Sequence, residues 1–163
     1  MAAERYIDAS LFMGMHSVNE AVRLACKTFF AERMGQTLVM SLEHVGRCDD
    51  LVWRYPRAIQ DEYYPFMDNL HTDAAIRRIG YDEKSVRTAQ STPELAGLDL
   101  GDRLLLGMVL NGGGELHTVN PRLTGRPELP VRHVASPGTA RFPALLETLY
   151  ERSRVLRVAG QDW

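Results

Sequence analysis

The sequence predicts an α/β fold in three layers, with helices on both faces of a central, mainly parallel sheet. Short apolar segments alternate with helix-prone stretches of roughly ten to eighteen residues. One segment, Thr37–Ser41, is nearly continuously apolar, as in a parallel strand buried on both sides. No internal repeat or low-complexity linker breaks the 163 residues. That length can build one sizeable core, so residues 1–163 are expected to form a single domain.

The elements follow in order. Arg5–Ser10 reads as a first strand ending in polar residues. Ser17-Val18-Asn19-Glu20 has capping-box spacing, with Ser17 at the cap and Glu20 three residues on. Behind it Val18, Ala21, Val22, Ala25, Cys26, Phe29 and Phe30 line one helical face, and Gly35 provides a stop. From Leu42 to about Thr72 the chain is helix-prone, with Pro56 suited to a first turn and Pro65 expected to kink or end a helix. Ile76–Tyr81 reads as a strand and Glu83–Gln90 as a helix. Asp102–Leu110 is an apolar helix ended by Asn111-Gly112-Gly113-Gly114. Strands follow at Glu115–Val119 and Arg132–Val134. Phe142 to Tyr150 closes the fold as an amphipathic helix, with a polar tail to Trp163.

Composition narrows the function classes. Apolar residues make up 45% and the net charge is −2, which argues against disorder and against a broadly basic nucleic-acid-binding surface. No apolar run approaches the roughly 18–20 residues that span a bilayer, so no membrane association is expected. Met1–Arg5 lacks the pattern of a secretory signal, and two cysteines make no disulfide framework. A reducing cytoplasm is therefore expected.

Polar residues gather where parallel sheets bind ligands, at the carboxyl ends of the strands. Asp8 ends the first strand, with Ser10 two residues on. Glu43 follows the second strand, Asp102 opens the apolar helix, and Thr118 and Asn120 end a later strand. Singly, each acid suits a turn or a helix start. Together, Ile7-Asp8-Ala9-Ser10, Ser41-Leu42-Glu43, Asp102-Arg103-Leu104-Leu105-Leu106-Gly107-Met108-Val109-Leu110 and Leu116-His117-Thr118-Val119-Asn120-Pro121-Arg122 resemble the PIN-domain pattern. The chain looks most like an actinobacterial PIN-like branch associated with secondary-metabolite gene neighbourhoods.

The resemblance implies a carboxylate cluster in which Asp8, Glu43 and Asp102 hold Mg²⁺ or Mn²⁺, with Ser10, Thr118 and Asn120 orienting ligands and waters. Hard cations take such oxygen donors and can activate water near a phosphate. The expected function is then a metal-dependent endoribonuclease hydrolysing RNA phosphodiesters. Asn120 departs from the acidic residue of that position and makes the cluster less negative.

The aromatic segment at about 47–81 suggests a helical cover, in which Tyr63, Tyr64, Asp68 and His71 either line a substrate pocket or simply pack. An apolar pocket there would suit a different activity. In that alternative the chain is a metal-independent E/Z isomerase of polyene chains on an acyl carrier protein, needing no cofactor. Cys48 would be its nucleophile, or a tyrosine or histidine its acid–base group. A homodimer is compatible with either function. Cys26, on its apolar helical face, is expected to be core, and Cys48 to lie nearer solvent.

Overall fold

The computed structural model describes residues 2–160; Met1 and the end of the polar tail, Gln161–Trp163, lie outside the described residues. Five strands form one sheet: β1 (Arg5–Ile7), β2 (Leu38–Ser41), β3 (Ile76–Ile79), β4 (Glu115–Thr118) and β5 (Val131–His133). Their order is β3-β2-β1-β4-β5, and every pairing is parallel. Tyr6 pairs with Val39 on one side and Leu116 on the other, so β1 is the central strand. The chain builds outward from β1 to β3, then returns past β1 to begin β4. The crevice between β1 and β4 is thus the point where strand order switches.

Alternation along the strands divides the core between two faces. Ile7, Leu38, Met40 and Ile76 face one cluster. It is covered by α1 (Ala9–Gly14), α2 (Glu20–Ala31), α3 (Leu42–Val52), α4 (Arg57–Asp73) and α8 (Ala144–Ser153). Tyr6, Val39 and Leu116 face the other cluster, beneath α6 (Leu100–Asn111) and α7 (Pro121–Thr124). α5 (Glu83–Ser91) packs on α6. Each large apolar side chain buried in these clusters stabilises the fold by roughly 1.5–3 kcal/mol. Gly107 allows α5 and α6 to approach closely: a Cβ there would stand 2.5 Å from the Ser85 carbonyl oxygen and 2.8 Å from Ala89 Cβ.

Several expectations change. The first strand stops at Ile7, and Asp8 caps α1, a buried helix whose residues show no polar face. The cap of α2 is Asn19, which accepts from Val22 N at 3.2 Å, while Ser17 Oγ accepts from Asn19 N. Asn19 stands beside the first helical residue, whereas Ser17 is two positions too early for a capping box. Pro65 lies inside α4 without ending it. It is on the exposed side of that helix, where the carbonyl it leaves unpaired can meet water. Asp102 lies in the first turn of α6 rather than at its cap. The segment at 47–81 is largely part of the fold's own core: Tyr63, Phe66 and Leu70 are fully buried on the side that packs against α8. Among the described residues no helix is long and apolar enough to cross a membrane.

Candidate functional site

The carboxyl ends of β1 and β4 meet through a side-chain network. Asp8 is 1% exposed. Its Oδ1 accepts from Leu11 N at 2.9 Å, as a helix cap, and from Ser10 Oγ at 2.8 Å. Its Oδ2 accepts from the hydroxyl of Thr118. Ser10 Oγ and Thr118 Oγ1 lie 3.0 Å apart, and Thr118 Oγ1 also accepts from Asn120 N at 2.9 Å. Asn120 caps α7 by accepting from Arg122 N at 3.0 Å. These partners fix the Asp8 carboxylate using neutral donors alone.

Arg122 joins this network to α6. Its Nε donates to Asp102 Oδ2 at 3.0 Å and its Nη2 to Oδ1 at 3.4 Å. Asp102 is 2% exposed, whereas the Arg122 side chain keeps 46% of its surface in water. The hydrogen bond to Asp102 is the chief reason the guanidinium holds its proton even more firmly than usual, with the charges of Asp102, Asp99 and Asp8 adding to it.

Glu43 approaches from α3. Tyr81 Oη donates to its Oε1 at 2.7 Å and Arg47 Nη2 to its Oε2 at 3.2 Å. Burial opposes ionisation of Glu43, but Tyr81 and Arg47 outweigh it and hold the carboxyl below its ordinary range. A Cβ on Gly101 would stand 3.5 Å from Glu43 Oε2 and 2.2 Å from Arg47 Nη2. Glu43 and Arg47 therefore rest against the first turn of α6, one residue from Asp102.

Next to Glu43 stands His44, which no metal-ligand spacing in the sequence singles out. It is buried, and its Nδ1 accepts from Ala9 N at 2.9 Å. A neutral imidazole that accepts at Nδ1 carries its proton on Nε2. That Nε2 is buried with no hydrogen-bond partner in the structure. Burial pushes the His44 pKa down, opposed chiefly by the charge of Asp8. Arg47, Tyr81 and Arg122 are further site residues that sequence spacing alone does not single out. The only signal for Arg122 is its place just after Asn120-Pro121, a cap followed by a proline at the first helical position.

The structure links Asp8, Ser10, Thr118 and Asn120 in one hydrogen-bonded network at the ends of β1 and β4, joins it to Asp102 through Arg122, and sets Glu43 against the first turn of α6, one residue from Asp102. It leaves the aromatic candidates elsewhere. The Tyr63 ring packs edge-on against His16 and Tyr64, and Tyr64 Oη donates to Asp49 at 3.1 Å. Asp68 is exposed, and His71 packs against Phe12. Among the described residues none of these four bonds to Asp8, Glu43 or Asp102. Cys48, expected nearer solvent, is 6% exposed against 0% for Cys26, so both are buried, and both thiols are free. Burial first, then Asp49 and Asp8, pushes the Cys48 thiol well above its ordinary range. That environment suppresses the thiolate a nucleophile requires.

The three acids offer hard oxygen donors of the kind Mg²⁺ and Mn²⁺ prefer. Their geometry commits those oxygens to protein donors instead, with Asp102 facing a guanidinium on both. Among the described residues no group of three or more His, Cys, Asp or Glu side chains is disposed to hold a metal ion. As the side chains stand, the arrangement does not fit a divalent cation.

A parallel five-stranded sheet between helical layers is an α/β fold of PIN-like type. Among solved structures, a chain of VapBC2 from Rickettsia felis, described as bound to a DNA fragment from their promoter, is similar to it. The TM-score is 0.57 at 13% identity, over 79% of this chain and 97% of that one. The family model DUF6190, a family of unknown function, matches residues 1–163, and the chain belongs to that family. No curated protein matches the sequence.

Proposed function

We propose that this chain is a PIN-type endoribonuclease that takes an RNA phosphodiester at the crevice between β1 and β4. One juxtaposition carries the reading: Asp8 and Asn120 share a network through Thr118 at the carboxyl ends of β1 and β4, Arg122 joins that network to Asp102, and Glu43 rests against the first turn of α6. Two partly exposed arginines, Arg47 and Arg122, flank them. Guanidinium groups pair with phosphate through two parallel donors, so a mildly acidic chain can still hold a phosphodiester locally. Glu43 is ionised and a third exposed. It is the carboxylate within reach of solvent to take a proton from an attacking oxygen. Asp8, locked by Ser10 and Thr118, fixes the floor of the crevice. The Mg²⁺ or Mn²⁺ that the PIN resemblance implies enters no step, because the acids that would hold it are already engaged. Against the isomerase alternative stand the burial of Cys48 and the packing of Tyr63 in the core, and its acid–base route through another tyrosine or a histidine is judged by the assay below.

The test is cleavage of single-stranded RNA by the purified chain, with Mg²⁺, with Mn²⁺ and with excess chelator. Endonucleolytic products are expected, falling about 10²–10⁴-fold in Glu43→Gln, the size of a lost acid–base group. A change in the double-bond geometry of a carrier-bound polyene, with RNA left intact under all three conditions, would overturn the proposal.

A further inference from the structure

We propose that the Arg122 guanidinium is the built-in cation of this site, occupying the face of Asp102 where a divalent ion would otherwise bind. The inference rests on the reading of Asp8, Glu43, Asp102 and Asn120 as one site, and it assigns the source of that site's positive charge.

Three observations converge on it. Arg122 spans both oxygens of Asp102, at 3.0 and 3.4 Å, so a carboxylate only 2% exposed has its accessible edge closed by a fork of donors. Asp8, 1% exposed, forms no ion pair among the described residues and receives only neutral donors. A buried carboxylate in that condition calls for a nearby positive charge. Arg122 lies within the field of Asp8 as well as of Asp102. Asn120, lastly, uses its side-chain oxygen to cap the amide of Arg122 itself. The residue that departs from the acidic PIN pattern thus seats the arginine, and it contributes no negative charge to attract an ion.

Charge arithmetic points the same way. Asp8, Asp102 and Glu43 bring three negative charges, and Arg47 and Arg122 return two. Without Arg122 the surplus is two negative charges, matched to one divalent ion. With it the surplus is one, and an incoming ion meets a fixed cation in its coordination place.

The experiment is a titration of the purified, RNA-free chain with Mn²⁺, followed by electron paramagnetic resonance of the free ion and by calorimetry. Wild type is expected to show no site-specific Mn²⁺ binding. Arg122→Ala is expected to gain it by at least about tenfold in affinity, and Arg122→Ala/Asp102→Asn to lose it again. Arg122→Lys, which keeps the charge, should behave as wild type and guards against a folding defect in the alanine variant. Wild-type Mn²⁺ binding that disappears in Asp102→Asn would overturn the inference, and so would a folded Arg122→Ala that binds no Mn²⁺. Because no RNA is present, the outcome is independent of whether the chain is a ribonuclease. Absence of RNA cleavage alongside the expected titrations would remove that function and leave the built-in cation standing.

Discussion

His44 Nδ1 accepts the amide hydrogen of Ala9 at 2.9 Å, tying the first turn of α3 to the first turn of α1. Asp8 precedes that amide and Glu43 precedes the imidazole, so one hydrogen bond sets the spacing of two candidate acids. The bond is buried, and no water competes for it.

Removing the acceptor leaves a buried N–H unpaired. His44→Ala is therefore expected to lose about 1–3 kcal/mol from the orphaned donor alone, with a further loss from the cavity. His44→Asn, which keeps a side-chain acceptor, should recover part of it. Urea unfolding midpoints of the three proteins measure this; an unchanged midpoint in His44→Ala would show that the bond is not structural.

Lys27 and Glu147 form a buried ion pair at 2.5 Å between α2 and α8, with side chains 10% and 8% exposed. Glu147 also accepts from Phe142 N at 2.9 Å, and the Lys27 ammonium lies 4.9 Å from the Tyr150 ring centroid. Breaking such a pair from one side strands a buried charge. Lys27→Met should cost about 3–5 kcal/mol, while Lys27→Met/Glu147→Gln, which removes the charge but keeps an acceptor for the Phe142 amide, should recover much of it. A double mutant less stable than the single would contradict this.

The stability profile with pH should carry the mark of His16. Its ring is buried and its pKa falls to about 3, because burial, and then Arg23 and Arg154, disfavour the charged form. The unfolded chain binds this proton near pH 6.5 and the folded chain only near pH 3, so stability is full above pH 6.5 and declines below it. The slope from this group is about 1.4 kcal/mol per pH unit. His71 and His117, with pKa values lowered to about 4 chiefly by burial, add in the same direction. Between pH 6.5 and 5 the carboxylates scarcely titrate, which isolates the histidines. Urea unfolding across that window should show the decline, shallower in His16→Gln; a flat profile would refute it.

Much of this was legible in residue patterns. Strand β2 announces itself by an apolar run, and α2 by its repeating face. The acids stand out by position, each following a strand or opening a helix. Helix α1 escapes because its Ala9–Gly14 stretch is buried on every side and so carries no amphipathic period. His44 and Arg122 escape for another reason. Their roles depend on partners 35 and 20 residues away, and only the fold brings them together. The aromatic run at 47–81 misleads because a core helix and a pocket lid use the same side chains.

The missing side chain at Gly107 has a consequence beyond packing. With the α6 backbone seated against the Ser85 carbonyl, α5 and α6 cannot slide or roll past one another without a clash. They behave as one cooperative unit, and their inward amides should exchange with solvent at a common free energy rather than fraying separately. Asp102 rides on that unit, whereas Asp8 stands at the end of β1 as the cap of α1. Any opening of the crevice is therefore a displacement of the whole helical pair, hinged at residues 80–82, which lead from β3 into α5, and at the glycines that follow Asn111.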